Sequence, residues 1–266
     1  MATIPTGAGN ADDRNLARGC LHAQCFHQAG LHLAGQAQPR DARHLAAHPG
    51  DSKLAARIAS YELAARMQSS IPEATDINGE PEHIKKLYGI DDPANKGFAR
   101  NCLMARRLVE AGTRFVTVHY DCPDGYGWDS HRNSDDVRDH LLPTFDQGCA
   151  ALLTDLDERG LLDETLVIAI GEMGRTPTPN ATWGRGHWST CFPALIAGAG
   201  VRGGIVYGKS DKEAAYPDDK PVSPEDLAKT IYWSLGIDPD LMLMNRENRP
   251  IPIVDGGKPV MASPLR

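Results

Sequence analysis

The sequence predicts an α/β fold built on an open sheet, and three observations carry that prediction. Leu166-Val167-Ile168-Ala169-Ile170 is a short apolar, β-rich run that reads as a strand buried on both faces. A helix over about Asn95 to Ala111, the stop Gly112 and the β-branched run Thr113 to His119 form half of a βαβ repeat. Polar, Gly-rich loops follow both runs, and in open α/β sheets ligands bind beyond the carboxyl ends of strands.

At 266 residues the chain is long enough for one α/β domain or two small ones. Residues 1–48 lack an apolar period and hold five of the ten histidines, His22, His27, His32, His44 and His48, in no ligand spacing. They read as a disordered or non-homologous leader before a domain over 49–266. The net charge of −7 argues against a general nucleic-acid binder. No apolar run approaches the roughly 20 residues that span a bilayer, and no export signal is visible at Met1 to Ala11. Cys20, Cys25, Cys102, Cys122, Cys149 and Cys191 are scattered without CxxC pairs, which predicts free or buried thiols.

Each element has a local reason. Asp51 and Ser52 cap a helix over Lys53 to Gln68, with Leu54, Ile58, Tyr61 and Ala65 on one face. A loop from Pro72 to Gly79 leads to Pro81, which starts a short helix, Glu82 to Tyr88, closed by Gly89. The helix over 95–111 carries Phe98, Cys102, Ala105, Leu108 and Val109. After the strand at 113–119 comes the loop Asp121 to His131, then a long helix, Asp135 to Arg159. In that helix Pro143 marks either the true first turn or a kink. Phe192 to Ala197 reads as the next buried strand, and Gly198 to Gly204 as a structural glycine turn before Ile205-Val206-Tyr207. Ser223-Pro224-Glu225-Asp226 is a strong helix start, with Leu227, Ile231 and Leu235 inward and Gly236 as stop. Pro250 to Val260 reads as a terminal hairpin turning at Asp255-Gly256-Gly257.

Four side chains at the predicted strand ends carry the chemistry: Asp129, His131, Glu172 and His187. Carboxylates and imidazoles are the mixed ligands that Zn²⁺, Mn²⁺ or Fe ions accept. Asp129 and His131 converge on an ion only if the backbone bends between them, and Glu172 meets His187 only if the intervening loop folds back. Singly, each has a plainer use: Asp129 in an Asx turn, Glu172 paired with Arg175, His187 packed under Trp188. As a group, the metal and structural readings stand level. Arg175 and Arg185 are suited to gripping phosphate or sulfate oxygens, or to pairing with nearby acids. There is no GxSxG elbow, Walker A loop or Rossmann fingerprint, and no hydroxyl near the site is marked as activated.

Ser60 to Gln68, Leu87-Tyr88-Gly89, Ala105 to Gly112, Gly127-Trp128-Asp129-Ser130-His131, Gly171 to Pro177 and Gly184-Arg185-Gly186-His187 occur in the order of a bacterial family. The chain resembles, over about residues 50–260, the domain of unknown function 1501 family, sulfatase-like proteins abundant in planctomycetes and related to the alkaline phosphatase superfamily. The resemblance implies a three-layer α/β sandwich with a mostly parallel central sheet, of which this chain lacks the amino-terminal half. It also implies a divalent ion (zinc, manganese or calcium) held by Asp129, His131, Glu172 and His187, with Arg175 and Arg185 steadying an anionic ester or the site. Substrates would be small sulfate or phosphate esters or sulfated polysaccharides. The nucleophile would lie in the missing half, so the expected activity is a metal-dependent ester hydrolase, incomplete as this chain. The alternative is a non-catalytic binding domain at the cell envelope. Family members are exported; without a signal, the chain as given would stay in the cytoplasm. Two departures, Gly186 where the family commonly has Asp and Met173 where phosphatases often have His, bear on metal number and affinity.

Overall fold

The computed structural model describes residues 2–4, 43–48, 52–93, 95–120 and 127–260. Most of the expected leader, Cys20, Cys25 and Cys122, and the loop start at Asp121 lie outside them. Residues 2–4 form a short strand, β1 (Ala2–Ile4), and 43–47 a helical turn. The first long helix, α1 (Ser52–Thr75), runs further than the sequence predicts and carries Pro72 inside it. It ends at Asp76, whose carboxylate accepts the Asn78 amide at 3.0 Å and caps a 3₁₀ turn, Ile77–Gly79. Tyr61, expected on the inner face, is exposed.

Helix α2 (Glu82–Tyr88) follows Pro81 as expected, and α3 (Lys96–Glu110) leads to strand β2 (Val116–Val118). A wide π turn, Val137–Leu141, precedes α4 (Leu142–Glu158). Pro143 therefore sits in the first turn of α4, directly after the π turn.

Contacts divide the chain into two units. In the first, residues 1–85 with 100–125, Ala105 and Leu108 are buried against Ala74, Met104, Val116 and Val118. In the second, residues 86–99 with 126–266, the core gathers on α4. Tyr88 is fully buried and donates its hydroxyl to Asp155 Oδ2 at 3.1 Å. Phe145 stacks on Phe98 and takes the edge of Trp128 at 5.9 Å between centroids. That edge contact fixes the start of the Asp129 loop on the core.

The strands correct the sequence-based picture. Val167–Ile170 (β3) and Ala194–Ala197 (β6) pair antiparallel, Val167 opposite Ala197 and Ile170 opposite Ala194. Between them lie β4 (Gly174–Arg175) and β5 (His187–Trp188), also antiparallel. Among the described residues only β1 and β2 pair in parallel. Among the described residues helices are mixed with small two-stranded sheets, most of them antiparallel, where the sequence predicts a mostly parallel central sheet. With one partner strand each, β3 and β6 leave Ile170 48% and Leu195 60% exposed; apolar character invites burial, but neighbouring strands must supply it.

Further on, β7 (Lys209–Ser210) pairs with β8 (Pro217–Asp219), and Ile205 to Tyr207 lie exposed outside any ladder. Helix α5 (Pro224–Ser234) starts at Ser223 with a complete capping box shared with Asp226. Its most buried positions are Lys229, ion-paired to Asp240 at 2.5 Å, and Thr230, whereas Leu235, expected inward, is exposed. The terminal hairpin joins β9 (Met242–Met244) to β10 (Pro250–Pro252) and turns at Asn245, whose side chain accepts the Glu247 and Arg249 amides. The expected turn at Asp255 to Gly257 does not build a hairpin, because the following amides dock on α5: Lys258 N–H donates to Asp226 Oδ1 and Val260 N–H to Thr230 Oγ1.

Candidate metal centre

The loop at 127–133 bends where the sequence required it to. Ser130 N–H donates to the Trp128 carbonyl at 2.9 Å and His131 N–H to the Asp129 carbonyl at 3.0 Å, two tight turns that put the Asp129 and His131 side chains together. His187 arrives from the other side on β5, paired with Arg175 on β4. Paired residues on antiparallel strands project from the same face, so the hairpin delivers Arg175 and His187 as neighbours.

The loop between β4 and β5 is held to the Asp129 loop by its own bonds. Asn180 Nδ2 donates to the His131 carbonyl at 2.8 Å, while Asn180 Oδ1 accepts from Thr182 N–H, Thr182 Oγ1 and Gly184 N–H. Arg185 N–H donates to the Ser130 carbonyl at 2.8 Å. A Cβ on Gly184 would stand 2.0 Å from both the carbon and the oxygen of the His131 carbonyl, so only glycine allows this approach. Trp183 adopts φ of 61°, unusual for a bulky residue, with its indole N–H on Asp135 Oδ1 at 3.1 Å.

The result is three ligand atoms in a near-equilateral triangle. Asp129 Oδ1 lies 3.0 Å from His131 Nε2 and 3.0 Å from His187 Nε2, and the two Nε2 atoms are 3.2 Å apart. With metal–ligand bonds of about 2.1 Å, such spacings subtend roughly 95° at an ion above the triangle, close to one face of an octahedron. All three residues are exposed to solvent, leaving the opposite side of an ion open. Arg175, first, and His187, second, donate to the Asp129 carboxylate and hold its pKa down at about 2, below the ordinary 3.8. The donor set fits a transition-type divalent ion; two imidazoles suit calcium poorly, since calcium prefers six to eight oxygens.

The remaining expected residues are placed differently. Glu172 stands outside the triangle, its Oε1 3.7 Å from Arg175 Nη2, too far for a hydrogen bond. Arg175 Nη1 donates directly to Asp129 Oδ1. Arg185 turns its Nη1 to the carbonyls of Thr176 and Pro177, bracing the loop from within. Asn180 and Gly184 position the site, though sequence reasoning did not single out either for that role. An Asn four residues before a Gly in a polar loop was the only local signal.

A family profile described as protein of unknown function (DUF1501) matches residues 17–263. The chain belongs to that family. The matched range contains Asp129, His131 and His187, which come from two segments, Gly127 to His131 and Gly184 to His187, separated by more than fifty residues of chain. No curated protein and no solved structure matches the chain.

Proposed function

We propose that this DUF1501 chain is a metal-dependent hydrolase-like domain for sulfate or phosphate esters, of sulfatase-like three-layer ancestry. The observation that carries the reading is the convergence of Asp129 Oδ1, His131 Nε2 and His187 Nε2 to within 3.2 Å of one another. Zinc or manganese fits this donor set best; bound there, the ion supplies Lewis acidity toward an ester oxygen. Asp129 and the two histidines hold the ion, Glu172 lies at the rim, and Arg175 and Arg185 keep the anion-facing loop in place. The reaction would transfer the sulfuryl or phosphoryl group to water, with the ester oxygen leaving as an alcohol. Sulfated polysaccharides or small anionic esters are the substrate class, encountered at the cell envelope.

One observation favours a second reading, a non-catalytic envelope binding domain. The nearby hydroxyls are spent on backbone: Ser130 Oγ donates to the Asn133 carbonyl and Thr176 Oγ1 to the Thr178 carbonyl. Neither is paired with a base as a nucleophile would be.

The deciding experiment measures metal content by plasma mass spectrometry on the full chain beside a D129A/H187A double variant. Near-stoichiometric zinc or manganese, lost in the variant, is the expected result. Turnover of 4-nitrophenyl sulfate or phosphate by the metal-loaded chain selects the hydrolase reading over the binding domain. Folded protein that takes up no ion, even from excess, sinks the metal centre.

A further inference from the structure

Asp129 Oδ1 is claimed from three directions: by Arg175, by His131 and by His187. One carboxylate oxygen offers two lone-pair sites, so it cannot serve a guanidinium, two rings and an ion at once. Arg175 is also fixed in place by its backbone, opposite His187 in the ladder, so only side-chain rotation can take it away. A second carboxylate waits for it: Glu172, three residues earlier, is exposed and 3.7 Å from Arg175 Nη2, short of a hydrogen bond by less than an ångström.

Resting on the metal reading above, we infer that Arg175 is a resident counter-cation of the site. It occupies Asp129 Oδ1 when no ion is bound and exchanges to Glu172 when one arrives. Arg175 therefore opposes metal loading, while Glu172 aids it without touching the ion. The electrostatics agree, since a dication entering beside a guanidinium is repelled unless that cation withdraws to another anion. The exchange makes occupancy of the site a competition between an internal cation and an external one. Glu172 is then a positioning residue, not a ligand.

The test titrates Mn²⁺ and Zn²⁺ into the full chain and reads Kd by calorimetry and chelator competition for wild type, R175M, R175K, R175Q, E172Q and E172Q/R175M. Removing the charge should tighten ion binding about fivefold or more in R175M and R175Q, and R175K should stay within about twofold of wild type. Tighter binding is an outcome that misfolding cannot imitate. In the wild-type background E172Q should weaken binding about threefold, and in the R175M background its effect should vanish to within about twofold. Unchanged or weaker binding in charge-free variants with native circular dichroism overturns the exchange. A Glu172 effect that persists without Arg175 does so too, by making Glu172 a ligand. If wild type and R175M bind the ion equally, only this inference falls; if neither binds it, the metal centre falls and this inference with it.

Discussion

Two clusters of charged side chains in this molecule obey opposite rules. Around Glu80 the charges centre on two buried side chains, Glu80 and Arg106, and each finds a partner of its own. Glu80 Oε2 accepts from Arg106 Nη2 at 2.6 Å and its Oε1 accepts from Arg107 Nη1, while Arg106 Nη1 reaches Glu110 at 2.7 Å. Arg107 spends its other donors on the Ala74 and Glu73 carbonyls, and the Arg106 side chain is 1% exposed. Around Asp129 the side chains are half in water, and their acceptor atoms crowd toward one point instead of each finding its own donor. Full pairing under burial is how a scaffold uses charge; convergence under exposure is how a site does.

The comparison breaks most visibly at Glu80. E80Q leaves the buried Arg106 and the half-buried Arg107 guanidinium groups short of a counter-charge and should cost about 3 kcal/mol in urea unfolding, with ion affinity of the folded protein unchanged. A loss under about 1 kcal/mol would mean that this cluster is no scaffold.

Next in size is Gly184→Ala. The new methyl collides with backbone at His131, which cannot swing aside as a side chain would. Metal affinity should fall about tenfold or more, with a stability loss of about 1–2 kcal/mol. Unchanged affinity would show that the loop does not set the triangle.

Acid separates the clusters further. Burial pushes the Glu80 carboxyl up, but Arg106 and Arg107 outweigh it and leave it below its ordinary 4.5. Asp129 lies at about 2, below its ordinary 3.8. Both groups are depressed on folding, so each contributes stability present above its unfolded value and lost as pH falls through its folded one. The Glu80 contribution should begin to fade below pH 4.5, and E80Q should remove that limb from an acid titration followed by circular dichroism. Asp129 should fade only between pH 3.8 and about 2, so any loss of bound metal above that window arises elsewhere than at this carboxylate. A D129N variant that shifts acid unfolding above pH 4.5 would contradict the assignment.

The smallest effect is expected at Asn180. N180A removes one bond to the His131 carbonyl and three within the loop, and should weaken ion binding about threefold with little change in unfolding. No change would leave Gly184 and the Arg185 amide as sufficient to hold the loop.

Much of the local structure was legible beforehand, because it depends on neighbours a few residues away. The capping box at Ser223, the short helix Glu82–Tyr88 after Pro81, and Pro143 as a first-turn residue all follow from near-neighbour bonding. The residue types of the candidate site were legible too: Asp129, His131, Glu172 and His187 stood out as oxygen and nitrogen side chains at loop positions, and the structure gathers three of them, without Glu172. Burial was not legible. Val167 to Ile170 is apolar enough for an interior strand, yet whether it is covered depends on strands that must come from elsewhere in the chain.

The sequence by itself determined the family, several helix starts and the oxygen and nitrogen side chains of the candidate site, since motif order, caps and side-chain chemistry are properties of the residues. Only the tertiary structure decided that Glu172 stands outside the triangle, that Arg175 takes Asp129, that Arg185 faces backbone, and that Glu80 meets Arg106 and Arg107. Those outcomes rest on which groups come within about 3 Å across dozens of residues of chain. Hydrogen bonding and charge pairing decay over such short distances that no local pattern encodes them.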